Sequence, residues 1–307
     1  MSGTSITSFE LEVLSELEAE SIYILREVLA EFKNPVLLFS GGKDSVVLTR
    51  LLEKALSPCP MHVPLMLVDT GHNFPETLKF IEQRVKTLGT QLITASVEQD
   101  IREGRVKDPR GPYASRNRIQ SMTLMRALRE HRFDAVIGGA RRDEEKARAK
   151  ERVFSLRNHA GQWQPEQQRP ELWNLFNTHL NAGEHMRVFP LSQWTELDIW
   201  RYIEKEKLSV PEIYFSHLRD CVRRGETLLP VSPYLETDPQ DPIEKSVPVR
   251  FRTVGDMTCS SAFLSEAQNV SDIINELKKS KITERGGRLD DKGSETSMED
   301  RKTEGYF

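Results

Sequence analysis

Val36-Leu37-Leu38-Phe39-Ser40-Gly41-Gly42-Lys43-Asp44-Ser45-Val46 is the stretch on which the fold turns. An apolar run of strand character is broken by two glycines, and a helical pattern continues from Val46 to about Leu56. Where a strand feeds a helix through such a loop, glycines let the backbone turn and present N–H groups, and the helix N-terminus adds partial positive charge. Ser40, Lys43 and Ser45 add side-chain donors, and Gly41, Gly42 and Asp44 complete a cradle suited to pyrophosphate. The loop is not a Walker A motif, which requires glycine in place of Leu37 and Ser or Thr in place of Asp44. The bland alternative is a glycine turn with a solvated lysine; the strand before and the helix after weigh against it.

Upstream, Thr7 to Phe32 reads as an amphipathic helix opened by a Thr7-x-x-Glu10 capping box, with Leu11, Leu14, Leu17, Ile22, Leu25, Val28 and Phe32 near one face. Asn34-Pro35 stops it. Downstream, Pro64 to Val68 is a second strand ending in Asp69-Thr70-Gly71, and a helix follows with Pro75 at its first position. Gln91 to Ser96 is a third strand, Arg116 to His131 a helix and Asp134 to Gly139 a fourth strand. A later strand-helix unit spans Arg187 to Glu206, its helix capped by Thr195-x-x-Asp198. This alternation predicts an α/β fold: a doubly wound, mostly parallel sheet with helices on both faces and a site at the carboxyl ends of its strands. An N-terminal helix (1–34), a catalytic domain (35–215) and an irregular C-terminal extension (216–307) are expected. Within the extension, Ser232 to Pro248 reads as a proline-rich acidic excursion, and the charged tail from Ser280 is expected to need a partner to order it, the alternative being plain disorder.

The 307 residues carry 43 basic and 47 acidic side chains, a net charge of -4, which argues against a general nucleic-acid or anionic-membrane binder. Any anion site must be local. Cys59, Cys221 and Cys259 are far apart and lack ligand spacing, so no zinc, iron-sulfur or disulfide framework is expected, nor a flavin. The N-terminus lacks a signal-peptide pattern and no apolar run approaches a membrane span, so a soluble cytoplasmic protein is expected.

Two further segments bear on chemistry. Asp69-Thr70-Gly71 would face a nucleotide from the second strand, with Asp69 able to support Mg²⁺; the alternative is a turn in which Asp69 caps the backbone and Gly71 supplies positive φ. From Gly139 onward, six basic side chains fall within the twelve residues Arg141 to Arg152. A solvated helix with pairs such as Glu144 and Arg148 would explain them, but the segment hangs from the end of the fourth strand. An anionic acceptor approaching a nucleotide needs such charge: two like unit charges about 4 Å apart at an effective dielectric of about 20 repel by roughly 4 kcal/mol.

Ser40 to Ser45 resembles the PP-loop of the ATP pyrophosphatase superfamily, which implies an adenine nucleotide alpha hydrolase-like fold and cleavage of ATP between its α and β phosphates. With Asp69-Thr70-Gly71, the Gly138 to Arg152 segment, Gln168 to Leu175, Arg187 to Trp200, Val249 to Gly255 and the closing Glu304-Gly305-Tyr306-Phe307, the chain is similar to the small-subunit family of bacterial sulfate adenylyltransferases. Three stretches depart from that family's pattern: Arg116-Asn117-Arg118-Ile119-Gln120 stands where one branch carries lysines, Cys221 to Pro248 matches poorly, and Gly255-Asp256-Met257-Thr258-Cys259 replaces a G-C-x-P-L-type continuation.

The resemblance implies formation of adenylyl sulfate and pyrophosphate from ATP and sulfate, with Mg²⁺, in sulfate assimilation. It implies Lys43, Arg141 and Arg142 as catalytic residues and Arg141, Arg142, Lys146 and Arg252 as sulfate and phosphate ligands. It also implies a GTPase large subunit as partner, since the chain has neither a Walker A loop nor an N-K-x-D motif. A sulfonucleotide reductase shares the loop but needs a late nucleophilic cysteine, and no cysteine follows Cys259. A non-catalytic nucleotide-binding regulatory subunit would keep the loop and lose the chemistry.

Overall fold

The computed structural model describes residues 7–279 except 112, 113, 118, 145–150 and 239. Helix α1 (Ser8–Glu31) begins at Thr7 with both halves of the capping box formed, and its buried residues include Leu14, Leu25 and Val28. Pro35 opens strand β1 (Pro35–Leu38), and α2 (Lys43–Leu56) starts immediately after the glycine loop, earlier than the apolar periodicity from Val46 suggests. The unit repeats as β2 (Leu65–Asp69) with α3 (Pro75–Leu88), then β3 (Leu92–Ser96) with a short α4 (Val97–Arg102) that the sequence pattern does not announce. Helix α5 (Gln120–His131) leads into β4 (Ala135–Ile137), β5 spans Phe154–Arg157, and β6 (His185–Val188) precedes α6 (Glu196–Glu206), which Thr195 and Asp198 cap reciprocally.

The sheet order is β3-β2-β1-β4-β6-β5, parallel throughout except for β5, which runs antiparallel on the edge against β6. Alternate residues of each strand serve opposite faces. Leu37, Leu65, Ala135 and Ile137 join α1, α2, α3 and α6 in one core, whereas Val36, Met66, Ala95 and Val136 pack against α5 on the other face. Helices therefore cover both faces, as expected. Because β1 lies between β2 and β4, the chain leaves it in opposite directions, and the crevice at its carboxyl end is where such sheets bind ligands.

The stretch from residue 216, expected to be irregular, is built instead as a closed antiparallel barrel with strand order β10-β8-β7-β9. Its strands are β7 (His217–Arg224), β8 (Thr227–Pro230), β9 (Ile243–Phe251) and β10 (Ala262–Leu264), and helix α7 (Val270–Lys279) follows and packs on α6. The acidic excursion is thus shorter than expected, because Ile243 to Pro248 already belongs to β9. Phe251 at the end of β9 meets Phe74, the residue preceding α3, with ring centroids 4.8 Å apart, and joins the barrel to the sheet core. The tail from Ser280 and Lys146 lie outside the described residues.

Candidate functional site

The loop after β1 is shaped by two glycines with different tasks. Gly41 has φ +73°, and a Cβ there would lie 2.8 Å from Ile81 Cγ1 on α3, so both backbone conformation and space demand glycine. Gly42 is the N-cap of α2 and supplies no capping side chain, leaving the first-turn amides of the helix open to other acceptors. One is taken already: the Lys43 N–H donates to the Tyr214 hydroxyl at 2.8 Å. Ser45 Oγ donates to the Gly42 carbonyl at 2.8 Å, which holds the turn closed from within.

An ion-pair chain runs beneath the loop. Lys43 Nζ lies 3.1 Å from Asp44 Oδ2, Asp44 Oδ1 meets the Arg141 guanidinium, and Arg141 Nε donates to Asp143 Oδ1 at 3.0 Å. Asp143 then accepts from the Glu196 N–H at the start of α6 at 2.9 Å. At Gly139 a Cβ would sit 3.0 Å from Asp44 Cβ, so the turn after β4 packs tightly on the start of α2 and a side chain there would push Asp44 aside by a few tenths of an ångström.

Above this chain a cavity of about 280 Å³ opens at the carboxyl ends of β1, β2 and β4. The loop contributes Ser40, Gly42, Lys43, Asp44 and Ser45; β2 and its turn contribute Thr70 and Asn73; β4 contributes Gly138, Gly139 and Ala140. The opposite wall comes from Asn117 and Gln120, from Tyr214, and from Thr253 to Asp256, which follow the last strand residue Phe251.

Several predicted ligands do not reach this cavity. The Asp69 carboxylate accepts from the Gly71 N–H and from Asn73 Nδ2, each at 2.8 Å, so it builds the turn that Gly71 closes with φ +77°. Neither Asp69 nor Gly71 lines the cavity. Arg141 is fully buried against Asp44 and Asp143, and Arg252 is buried against Glu196. Arg142 is half-buried, its N–H donating to the Ser192 carbonyl at 3.1 Å. Among the described residues, then, none of the three arginines expected to bind sulfate forms part of the cavity wall, because buried ion pairs or the chain's direction after Ala140 take them elsewhere. Among the described residues there is no cluster of three or more Asp, Glu, His or Cys that could hold a metal ion.

The sequence pattern missed Tyr214, Asn117, Gln120 and Asp256. Three of these lie in two of the stretches that depart from the family pattern, Arg116 to Gln120 and Gly255 to Cys259. Departure from the pattern was the available signal. Arg116 itself is buried: it forks onto both oxygens of Asp108 at 2.9 Å and donates to the Thr70 carbonyl at 2.7 Å, pinning the turn after β2. Asp256 accepts from the Thr258 N–H at 2.7 Å with one oxygen; the other lies 3.8 Å from His72 Nδ1. The His72 ring stacks on Tyr234 at 4.4 Å, and burial holds its pKa below the ordinary histidine value against the pull of Asp256.

No cysteine is placed for nucleophilic chemistry. Cys259 is buried with its thiol donating to the Asp256 carbonyl at 3.5 Å, and burial pushes the Cys221 thiol up to about 11. Cys59 is exposed.

Residues 34–262 match the family model described as phosphoadenosine phosphosulfate reductase domain. Sulfate adenylyltransferase subunit 2 of Mycobacterium sp. (strain KMS) is 56% identical over 301 residues, covering 97% of this chain and 96% of that protein. The protein of the same name from Mycobacterium tuberculosis (strain ATCC 25177 / H37Ra) is 52% identical over 306 residues, covering 99% and 98%. Among solved structures, the FMN adenylyltransferase of Candida glabrata superimposes with a TM-score of 0.51 at 15% identity, covering 94% of this chain and 90% of that one. At that identity the likeness concerns the fold alone.

Proposed function

The chain belongs to the phosphoadenosine phosphosulfate reductase domain family and, within it, to the sulfate adenylyltransferase subunit 2 proteins; from that premise we propose that it transfers the adenylyl group of ATP to sulfate, forming adenylyl sulfate and pyrophosphate. The observation that carries this is the loop itself: Ser40, Gly42, Lys43 and Ser45 line the cavity at the start of α2, at the carboxyl end of the central strand.

A sulfate oxygen attacks the α-phosphorus in line as the bond to the β-phosphate breaks, and pyrophosphate departs with the electron pair. Sulfate is fully ionised at neutral pH and needs no general base, so orientation and charge stabilisation are the enzyme's contribution. Lys43, Ser40, Ser45 and the α2 amides hold the leaving pyrophosphate. Arg141 acts through Asp44 as a positioning residue, and Arg252 does the same through Glu196. We assign sulfate to Arg142 and Lys146 from their place in the sequence, directly after the cavity-lining Gly139 and Ala140; Arg142 itself does not line the cavity, so it would have to turn toward it. ATP enters as its magnesium complex, the ion being held chiefly by the phosphates, as Mg²⁺ commonly is in nucleotide sites.

The mixed anhydride is a high-energy product, and the relatives' designation as a second subunit supports a heteromeric enzyme. We assign to the partner the GTPase activity that drives the reaction, to the tail from Ser280 a docking role, and to the complex a cytoplasmic location. Among the described residues no helix is long and apolar enough to cross a membrane.

The experiment is to measure pyrophosphate released from ATP with and without sulfate, and with and without the GTPase subunit and GTP. Release that requires sulfate and rises with GTP is expected; release indifferent to sulfate rejects the assignment. Lys43→Ala separates enzyme from regulator. Loss of release with the complex intact is expected, and unchanged release would leave only the regulatory role.

A further inference from the structure

We propose that the Tyr214 hydroxyl is a phosphate-binding donor of the nucleotide site: it accepts the first amide of α2 and gives its own proton to a pyrophosphate oxygen. This rests on the assignment of the cavity as the ATP site.

A helix N-terminus leaves its first amides without intrahelical partners, and an N-cap Ser, Thr, Asp or Asn ordinarily takes one. Here the N-cap is Gly42, without a side chain, and the acceptor comes from 171 residues away. The ring that brings it is 1% exposed and held edge-on by Trp200, with centroids 5.2 Å apart and planes at 85°. Its backbone is fixed too, since the Tyr214 N–H donates to the Pro211 carbonyl at 3.1 Å within a tight turn. The hydroxyl therefore cannot swing aside when a ligand arrives, and the Lys43 amide is reached through it.

That arrangement changes the chemistry of the helix end. A hydroxyl accepting from an N–H at the positive end of a helix becomes a better donor through its own proton, because hydrogen bonds in series polarise one another. Tyr214 lines the cavity beside Gly42 and Lys43, so this O–H extends the amide's reach toward the phosphates. A hydrogen bond to a charged oxygen contributes about tenfold to a hundredfold in affinity.

Tyr214→Phe in the full chain, assembled with its partner subunit, tests this by calorimetry with pyrophosphate and, separately, adenosine. The expected result is pyrophosphate affinity lower by roughly tenfold to a hundredfold, with adenosine affinity kept within about twofold and a matching rise in KM for ATP. Unchanged pyrophosphate affinity, or equal losses for both ligands, overturns the proposal. Should the phenylalanine variant fold poorly, 3,5-difluorotyrosine at position 214 keeps the ring and, once ionised, keeps the acceptor for Lys43 but loses the donor. Pyrophosphate affinity must then fall as pH rises through the fluorinated phenol's lowered pKa, and constant affinity across that titration overturns the proposal. Failure of the unaltered protein to bind pyrophosphate would overturn the nucleotide-site assignment and this inference together, whereas an unaffected Tyr214→Phe overturns the inference alone.

Discussion

The parallel sheet and the C-terminal barrel face the same cavity but reach it by different physical routes. The sheet supplies its phosphate loop in one contiguous segment: β1, the glycine loop and the first turn of α2 run without interruption from Pro35 to Val46. The barrel side supplies Tyr214 before β7 and the short run Thr253 to Asp256 after β9, about forty residues apart in sequence, whose positions depend on strands and turns folding correctly elsewhere. The charged phosphate contacts are local to the first region; the second encloses the site and brings the Tyr214 hydroxyl to it. If that division is right, lesions on the two sides should differ in kind as well as size.

The largest effect is expected beneath the loop. Arg141→Ala removes a fully buried guanidinium shared by Asp44 and Asp143. Removing one member of a buried pair typically costs about 3–5 kcal/mol, because its partners stay desolvated. Denaturant unfolding should show that loss, and sulfate-dependent pyrophosphate release should fall by roughly a hundredfold, because Asp44 and with it Lys43 lose the contact that fixes their position. A variant with native stability and native release would show that the Lys43–Asp44–Arg141 chain does not organise the loop.

On the barrel side, Phe251→Leu should be milder and shift binding more than chemistry. Phe251 is fully buried between Phe74 and His217. Leucine there loses part of the contact, costing about 1–2 kcal/mol. KM for ATP should rise severalfold with kcat nearly kept, since Thr253 to Asp256 continue directly from this strand into the cavity wall. An effect on kcat alone would contradict the division of roles.

How much could be read in advance follows the same line. Strands β1 to β4 were legible because both faces of the sheet are buried, so they appear as apolar runs separated by helical periods. The barrel was not, because its strands mix charge with apolar residues, as in His217-Leu218-Arg219-Asp220-Cys221-Val222-Arg223-Arg224, and β9 carries Pro248 and a Ser246 with φ +51°. Strand β5 escaped notice because four residues on an antiparallel edge, after a charged segment, give no period. In the site, Lys43 and its neighbours were legible because their chemistry is adjacent in sequence. The Arg141 role was displaced inward, since no pattern reveals that Asp44 would claim it.

A pH effect should be smaller still and should report on the sheet. His185 on β6 is buried opposite Arg157, with Arg187 two residues on and Arg129 also nearby; burial first, then these three cations, hold its pKa well below the ordinary value. The folded state keeps it neutral, while the unfolded chain takes up a proton near pH 6.5. Its contribution to stability is therefore complete above about pH 6.5 and is lost as pH falls below it. Tm should drop from about pH 7 to about pH 5, and His185→Gln should flatten that drop; an identical slope in the variant would rule out His185 as its source.

The smallest effect is expected at an exposed tryptophan. Trp194 and Trp200 are buried anchors, and the Trp194 indole donates to Ser21 Oγ at 2.9 Å. Trp173 is 85% exposed, and its backbone and that of Asn174 both stand at φ +55°. The turn is held from its base instead: the Glu171 carboxylate accepts from the Val153 and Phe154 N–H groups at 2.9 and 2.8 Å, and Phe176 stacks on Phe154 at 4.4 Å. With its neighbours pinned, the tryptophan ring adds little packing, while its left-handed backbone costs about 1–2 kcal/mol relative to glycine. Trp173→Gly should leave denaturant stability unchanged or raise it by up to about 1 kcal/mol, part of the relief being offset by the greater freedom of glycine in the unfolded chain. A loss above about 1 kcal/mol would mean that the ring supports the edge of the sheet after all, and that Glu171 alone does not hold the turn.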